Sequence, residues 1–107
     1  MLNKKYRLPG GVKFDKSSSS QFFVLKVTKN DRSYSRFGFS VSKKTDKRAT
    51  ARNRIKRQVR VFVEENLDKI IPGLDILFVI KKEALGKETE EIQKAVLKEF
   101  KKEEFIK

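Results

Sequence analysis

The stretch Leu74-Asp75-Ile76-Leu77-Phe78-Val79-Ile80-Lys81 is apolar on both faces. Such a run belongs to a strand that is covered on one side and central in its sheet. The rest of the chain must therefore supply neighbouring strands and a helical layer. Phe22 to Thr28 reads as one strand, with Phe23, Leu25 and Val27 on an apolar face and Phe22, Val24, Lys26 and Thr28 on a mixed one. The polar turn Lys29-Asn30-Asp31-Arg32-Ser33 leads to Tyr34–Ser42, read as the returning strand of a hairpin. Its second face, with Arg36, Gly38 and Ser40, is small, polar and basic, so a ligand backbone can approach it closely.

Helical spacing replaces alternation after residue 48. Ala51, Ile55, Val59, Phe62 and Val63 form the apolar stripe of a helix from about Ala49 to Leu67, and Pro72-Gly73 follows it. Ile92, Val96, Leu97 and Phe100 form the stripe of a second helix, which Thr89 is expected to cap and which ends near Lys102. Strand, strand, helix, strand, helix makes an α+β two-layer sandwich, a small and mainly antiparallel sheet packed by helices. Residues 1–21 are polar and broken by Pro9-Gly10-Gly11 and Ser17-Ser18-Ser19-Ser20, so an extended or mobile basic arm is expected there. Two readings of the arm are open, a solvated tail or a reach toward nucleic acid. No repeat or further boundary follows, and 22–107 reads as a single α+β domain.

The charge balance narrows the function classes. Twenty-seven Lys and Arg face 14 Asp and Glu, a net charge of +13 with pI near 10.1. Self-repulsion at that density disfavours compactness, and a polyanionic partner relieves it. There is no Cys and no His, which removes thiol chemistry, a disulfide-linked partner, most zinc sites and imidazole catalysis. The missing Cys fits a reducing cytoplasm. No apolar run reaches the roughly 18 residues of a membrane span, and the N-terminus does not read as a secretory signal.

The first helix concentrates the positive charge at its wrong end. Lys43, Lys44, Lys47, Arg48, Arg52, Arg54, Lys56, Arg57 and Arg60 crowd its start and middle, and Glu64, Glu65 and Asp68 its far end. A helix dipole favours the reverse, at about a few tenths of a kcal/mol per exposed charge. Like charges four apart, Arg52–Lys56 and Lys56–Arg60, add a similar penalty. The second helix is written conventionally, with Glu90 and Glu91 first and Lys98, Lys101 and Lys102 near its end. The first is therefore read as a phosphate-binding face. Asn53, Lys56, Arg57 and Arg60 lie opposite the apolar stripe. Arg52 falls near the apolar side, so both a packing role and a phosphate contact are open for it. Arginine forks bridge phosphate oxygens, and Asn53 beside them suits a sugar or base edge.

Phe39-Ser40-Val41-Ser42-Lys43-Lys44, seven residues, then Arg52-Asn53-Arg54-Ile55-Lys56-Arg57-Gln58-Val59-Arg60 resembles the signature of the bacterial ribonuclease P protein component. The resemblance covers about residues 22–102 in element order. It implies a left-handed βαβ crossover, against the usual right-handed preference. It implies that Lys43, Lys44, Arg48, Arg52, Asn53, Arg54 and Arg57 bind the catalytic RNA. It implies that Phe22, Lys26, Lys56 and Arg60 bind the single-stranded 5′ leader of precursor tRNA. Mg2+ would be held mainly by the partner RNA, and none by the protein alone. The arm is shorter than the family's aromatic N-terminal helix, leaving Phe14 as its aromatic candidate. Thr45-Asp46-Lys47-Arg48 stands where the family carries a glycine.

Protein nucleases rely on an imidazole or on clustered carboxylates holding metals. Here Asp15, Asp31, Asp46, Asp68 and Asp75 read as isolated, and Glu99-Phe100-Lys101 as a surface ion pair on an ordinary helix. No catalytic residue is assigned to the protein, so cleavage would belong to an RNA partner. The rival is a ribosomal or other structural RNA-binding protein without associated cleavage. Phe22 also carries two readings, a ring that stacks a leader base or a plain core residue.

Overall fold

The computed structural model describes residues 2–107. It contains strands β1 (Lys16–Ser19), β2 (Phe23–Lys29), β3 (Arg36–Ser40) and β4 (Leu74–Ile80), and helices α1 (Ala49–Glu65) and α2 (Thr89–Lys102). The four strands form one sheet in the order β1-β2-β4-β3. β1–β2 and β2–β4 are antiparallel, and β3–β4 is parallel, joined through α1. None of the helices among the described residues is long and apolar enough to cross a membrane.

β2 and β3 do not form the expected hairpin, because β4 lies between them. A hairpin would leave the most apolar strand at an edge with half its backbone groups unpaired. Inserted between the two, β4 pairs on both sides, and the edges fall to the shorter, more polar β1 and β3. The linker between β2 and β3 arches over the start of β4. The Asn30 N–H donates to Gly73 O at 2.8 Å, and the Ser35 hydroxyl donates to Ile71 O while accepting from the Leu74 N–H.

Register puts Phe23, Leu25, Val27, Phe37, Phe39, Ile76, Phe78 and Ile80 on one face of the sheet. α1 covers it with Ile55, Val59, Phe62 and Val63, and α2 with Ile92, Val96 and Phe100, all buried. Phe78 is the hub, within 5.3–6.0 Å of the Phe39, Phe100 and Phe23 ring centroids. Leu97, expected in the stripe, is only half-buried, while Glu99 is 5% exposed and accepts a 2.6 Å hydrogen bond from the Ser18 hydroxyl of β1. Glu99 is thus no surface ion pair. Thr89 does not cap α2 with its side chain; it is the first helical residue and its hydroxyl accepts from buried Gln58 on α1.

Much of the stretch expected as an arm is folded onto the sheet. Arg7 bridges Phe37 at the outer edge of β3, and the Leu8 N–H donates to Phe37 O at 2.9 Å. The chain then crosses the helix-free face, with Val12 and Lys13 beside Thr28, Arg36 and Asp75, and reaches the opposite edge as β1. Gly38 makes the crossing possible. An alanine Cβ there would lie 3.0 Å from Leu8 Cδ2 and 3.1 Å from Leu77 Cδ1. Gly38→Ala should gain about 0.4–1 kcal/mol from a stiffer unfolded chain, but overpacking costs about 1–3. A net loss is expected. Amide exchange should accelerate at Leu8 while β4 amides stay protected; unchanged protection at Leu8 would count against the close contact.

Candidate nucleic-acid interface

The segment from Val41 to Arg48 joins β3 to α1, and its own side chains shape it. The Thr45 N–H donates to both Ser42 O and Ser42 Oγ, and the two hydroxyls lie 3.0 Å apart. Asp46 is the pivot. Its carboxylate accepts from the Arg48 N–H at 2.8 Å and from the Arg48 guanidinium at 2.9 and 3.1 Å. Its carbonyl accepts from Arg52 Nη1 at 2.7 Å. The Arg48 hydrogen bonds hold the Asp46 carboxyl down at about 2, so it stays ionised through the neutral range. Lys43, Lys44 and Lys47 remain exposed around this braced turn.

α1 follows Arg48, whose side chain does not cap it, and has no acid in its first turn and no base in its last. The positive end of its dipole therefore adds to the loop cations instead of being neutralised. Asn53, Arg54 and Arg57 are exposed on the same half of the helix, contiguous with the loop. Arg48 and Arg54 flank a cavity of about 320 Å³ with Ala51, Leu85 and Gly86. The residues expected to meet the catalytic RNA are thus brought together, with one division of labour added. Arg52 is half-buried and braces the loop through Asp46, the structural side of its two readings, and Arg48 is partly engaged by the same aspartate.

The four expected leader residues are not brought together. Phe22 is 4% exposed, edge-on to Phe23 in the core, and presents no free ring face. Its carbonyl accepts from the Lys81 N–H, which fixes it just before the first β2–β4 pair. Lys26 is exposed on the face of the sheet away from the helices. Lys56 and Arg60 lie on the flank of α1 toward the outer edge of β3. There Arg60 lines a cavity of about 270 Å³ with Leu2, Arg7, Phe37 and Phe39, its Nε 3.6 Å from Glu64 Oε1.

Two polar positions escaped the sequence reading. Gln58 is 7% exposed and donates from Nε2 to Lys87 O and Thr89 Oγ1, tying α1 to the start of α2. Its helical spacing from Ile55 and Phe62 was the available signal. Asp75 is not isolated. It is 2% exposed and receives the Arg36 fork at 2.9 and 2.7 Å and Asn30 Nδ2 at 2.8 Å. Burial pushes its carboxyl up, but the Arg36 and Asn30 hydrogen bonds prevail and hold it below the usual carboxylate range.

A capless helix start, a loop of exposed lysines braced by one aspartate, and arginines on the solvent side of a sheet-backed helix define a class. These are small basic α+β proteins built to meet a polyanion. Comparison with known proteins makes the class particular. Residues 3–104 match the family described as Ribonuclease P. A ribonuclease P protein component of Clostridioides difficile (strain 630) is 38% identical over 85 residues, 78% of this chain and 74% of that protein. One from Bacillus cereus (strain 03BB102) is 32% identical over 108 residues, 94% and 93% of the two chains. Among solved structures, a Staphylococcus aureus RNase P protein mutant with defective mRNA degradation activity superposes with TM-score 0.85 at 27% identity, covering 97% of this chain and 92% of that one. The Thermotoga maritima RNase P protein gives 0.75 at 31% identity, covering 81% and 82%. The chain belongs to the ribonuclease P protein family.

Proposed function

We infer that this chain serves as the protein subunit of a ribonuclease P holoenzyme, binding the catalytic RNA and helping it remove the 5′ leader from precursor tRNA. One observation carries the reading: the exposed cations of the Ser42–Arg48 loop and of the first half of α1 sit where the helix dipole penalises them. Phosphates convert that penalty into attraction. Arg54 and Arg57 offer planar forks to phosphate oxygens, Lys43, Lys44 and Lys47 offer point charges, and Asn53 suits a ribose or base edge. Cleavage belongs to the RNA, which holds the Mg2+. The protein contributes fixed positive charge, which lowers the Mg2+ needed to hold RNA segments and substrate together.

The leader is assigned to the helix-free face of the sheet near Lys26, with half-buried Val24, Leu77 and Val79 as an apolar floor and the exposed serines of β1 beside it. This replaces a cleft built on Phe22. Cytoplasmic residence goes with such a holoenzyme.

The deciding experiment adds purified protein to a bacterial ribonuclease P RNA and titrates Mg2+. The half-maximal Mg2+ for leader removal should fall. An unchanged requirement, with no RNA bound, would leave a different RNA partner. At residue level, Lys44→Ala, Arg54→Ala and Arg57→Ala combined should weaken RNA affinity. The slope of log K against log salt should become shallower by about 0.9 per lost contact, about 2.7 for three. The melting point should hold or rise slightly, since adverse dipole and like-charge terms disappear. An unchanged salt slope would remove α1 from the interface.

A further inference from the structure

Away from the basic loop, the chain's two tyrosines meet. Tyr6, in the first turn of the arm, and Tyr34, just before β3, have ring centroids 5.7 Å apart at 86°. Lys5 Nζ stands 4.9 Å from the Tyr6 centroid and 5.2 Å from that of Tyr34, and Arg32 Nη1 donates to the Tyr34 hydroxyl at 3.3 Å. Both rings are half-buried and line a cavity of about 380 Å³ whose walls include Phe37, Leu67 and Pro72. The charged side chains among its described lining residues are Asp68 and Lys107, both exposed.

We propose that this cavity is a second RNA site, holding one unpaired nucleobase of a single-stranded segment while Lys5 and Arg32 hold its phosphates. The proposal lies beyond the α1 interface. α1 is 17 residues long, so Leu67 and Asp68 follow its far end, about 25 Å from Arg48. Perpendicular rings cannot sandwich a base. They offer a face and an edge, so the base stacks on one tyrosine and meets the edge of the other. Apolar walls beside an aromatic pair, with cations already placed at the rings, make the combination that single-stranded nucleic acid uses. The chain's +13 charge favours a polyanion over an uncharged aromatic ligand. Asp68 accepts from an exocyclic amine, which favours adenine, cytosine or guanine over uracil.

The chain has two Tyr and no Trp, so its tyrosine fluorescence reports this site alone. A short adenosine-rich oligoribonucleotide should quench the full-length protein saturably, and an oligouridylate of equal length more weakly. Tyr34→Leu should weaken binding of the labelled adenosine-rich strand roughly five- to hundredfold, the range of base–aromatic stacking, and Tyr34→Phe should restore most of it. Lys5→Gln with Arg32→Gln should flatten its salt slope by about 1.4. Equal quenching by base-free inorganic polyphosphate, or affinity unchanged in Tyr34→Leu, would overturn the proposal. Binding of ribonuclease P RNA without tyrosine quenching would sink this site and leave the proposed function standing. Quenching by the oligomer without any effect on ribonuclease P RNA would do the opposite.

Discussion

Phe78→Ala should remove about 3–5 kcal/mol of stability, a large part of the roughly 5–15 kcal/mol that holds a domain together. Phe78 is fully buried at the centre of β4, and its ring meets both neighbouring strands and the helical layer: Phe23 of β2, Phe39 of β3 and Phe100 of α2. Close neighbours on three elements cannot all collapse into the space left behind, so the cavity term adds to the lost transfer energy. Urea unfolding should show the loss as a lower midpoint at unchanged slope. RNA affinity measured well below the new transition should stay near that of the parent, because Arg54 and Arg57 point away from this core. A loss below about 1.5 kcal/mol would mean that the rings repack. Stability and affinity are thus separable here: the hub variant moves the first and the α1 charge variants move the second.

The same separation explains what was legible in the sequence. Element identity came from apolar periodicity, so β2, β4, α1 and α2 fall within a residue or two of their expected spans, and β4 is central as its two apolar faces demand. Strand order was not legible, because a polar linker such as Asn30–Ser35 serves equally for a hairpin and for an arch over a third strand. The basic loop and helix were legible because charges set against a dipole need an outside reason. Which side chains a distant segment covers was less legible. Phe22 carried two readings, because its strand mixes apolar residues with Lys26 on one face; it is buried at the strand entry, the core reading of the two. Glu99 looked like a surface acid until β1, a lysine followed by three serines, brought Ser18 onto it. Asp46 and Arg52 meet through a backbone carbonyl, a contact that has no residue-type signature.

Asp75→Ala should be as damaging as loss of the aromatic hub, and for an electrostatic reason. It would strand the Arg36 guanidinium, whose side chain is 16% exposed, against β4 and also remove the nearer of the two acceptors of Asn30 Nδ2. Breaking a buried pair from one side costs about 3–5 kcal/mol because the remaining charge is uncompensated. Replacing both partners with apolar residues of similar volume, Arg36→Met with Asp75→Leu, should recover much of that loss. The pH dependence has a definite sign. Asp75 is held below its unfolded value of about 3.9, so its contribution is present above that value and fades as pH falls through the lower folded one. Stability of the parent should therefore drop more steeply on acidification below about pH 4 than that of Asp75→Asn, and the gap between the two should narrow. A gap that stays constant from neutral pH to pH 2 would show that the carboxylate's charge contributes nothing and that shape alone matters at this position. Because Arg36 and Asp75 flank the path of the arm across the helix-free face, the variant should also loosen Val12 and Lys13, readable as faster proteolysis of the N-terminal segment before global unfolding.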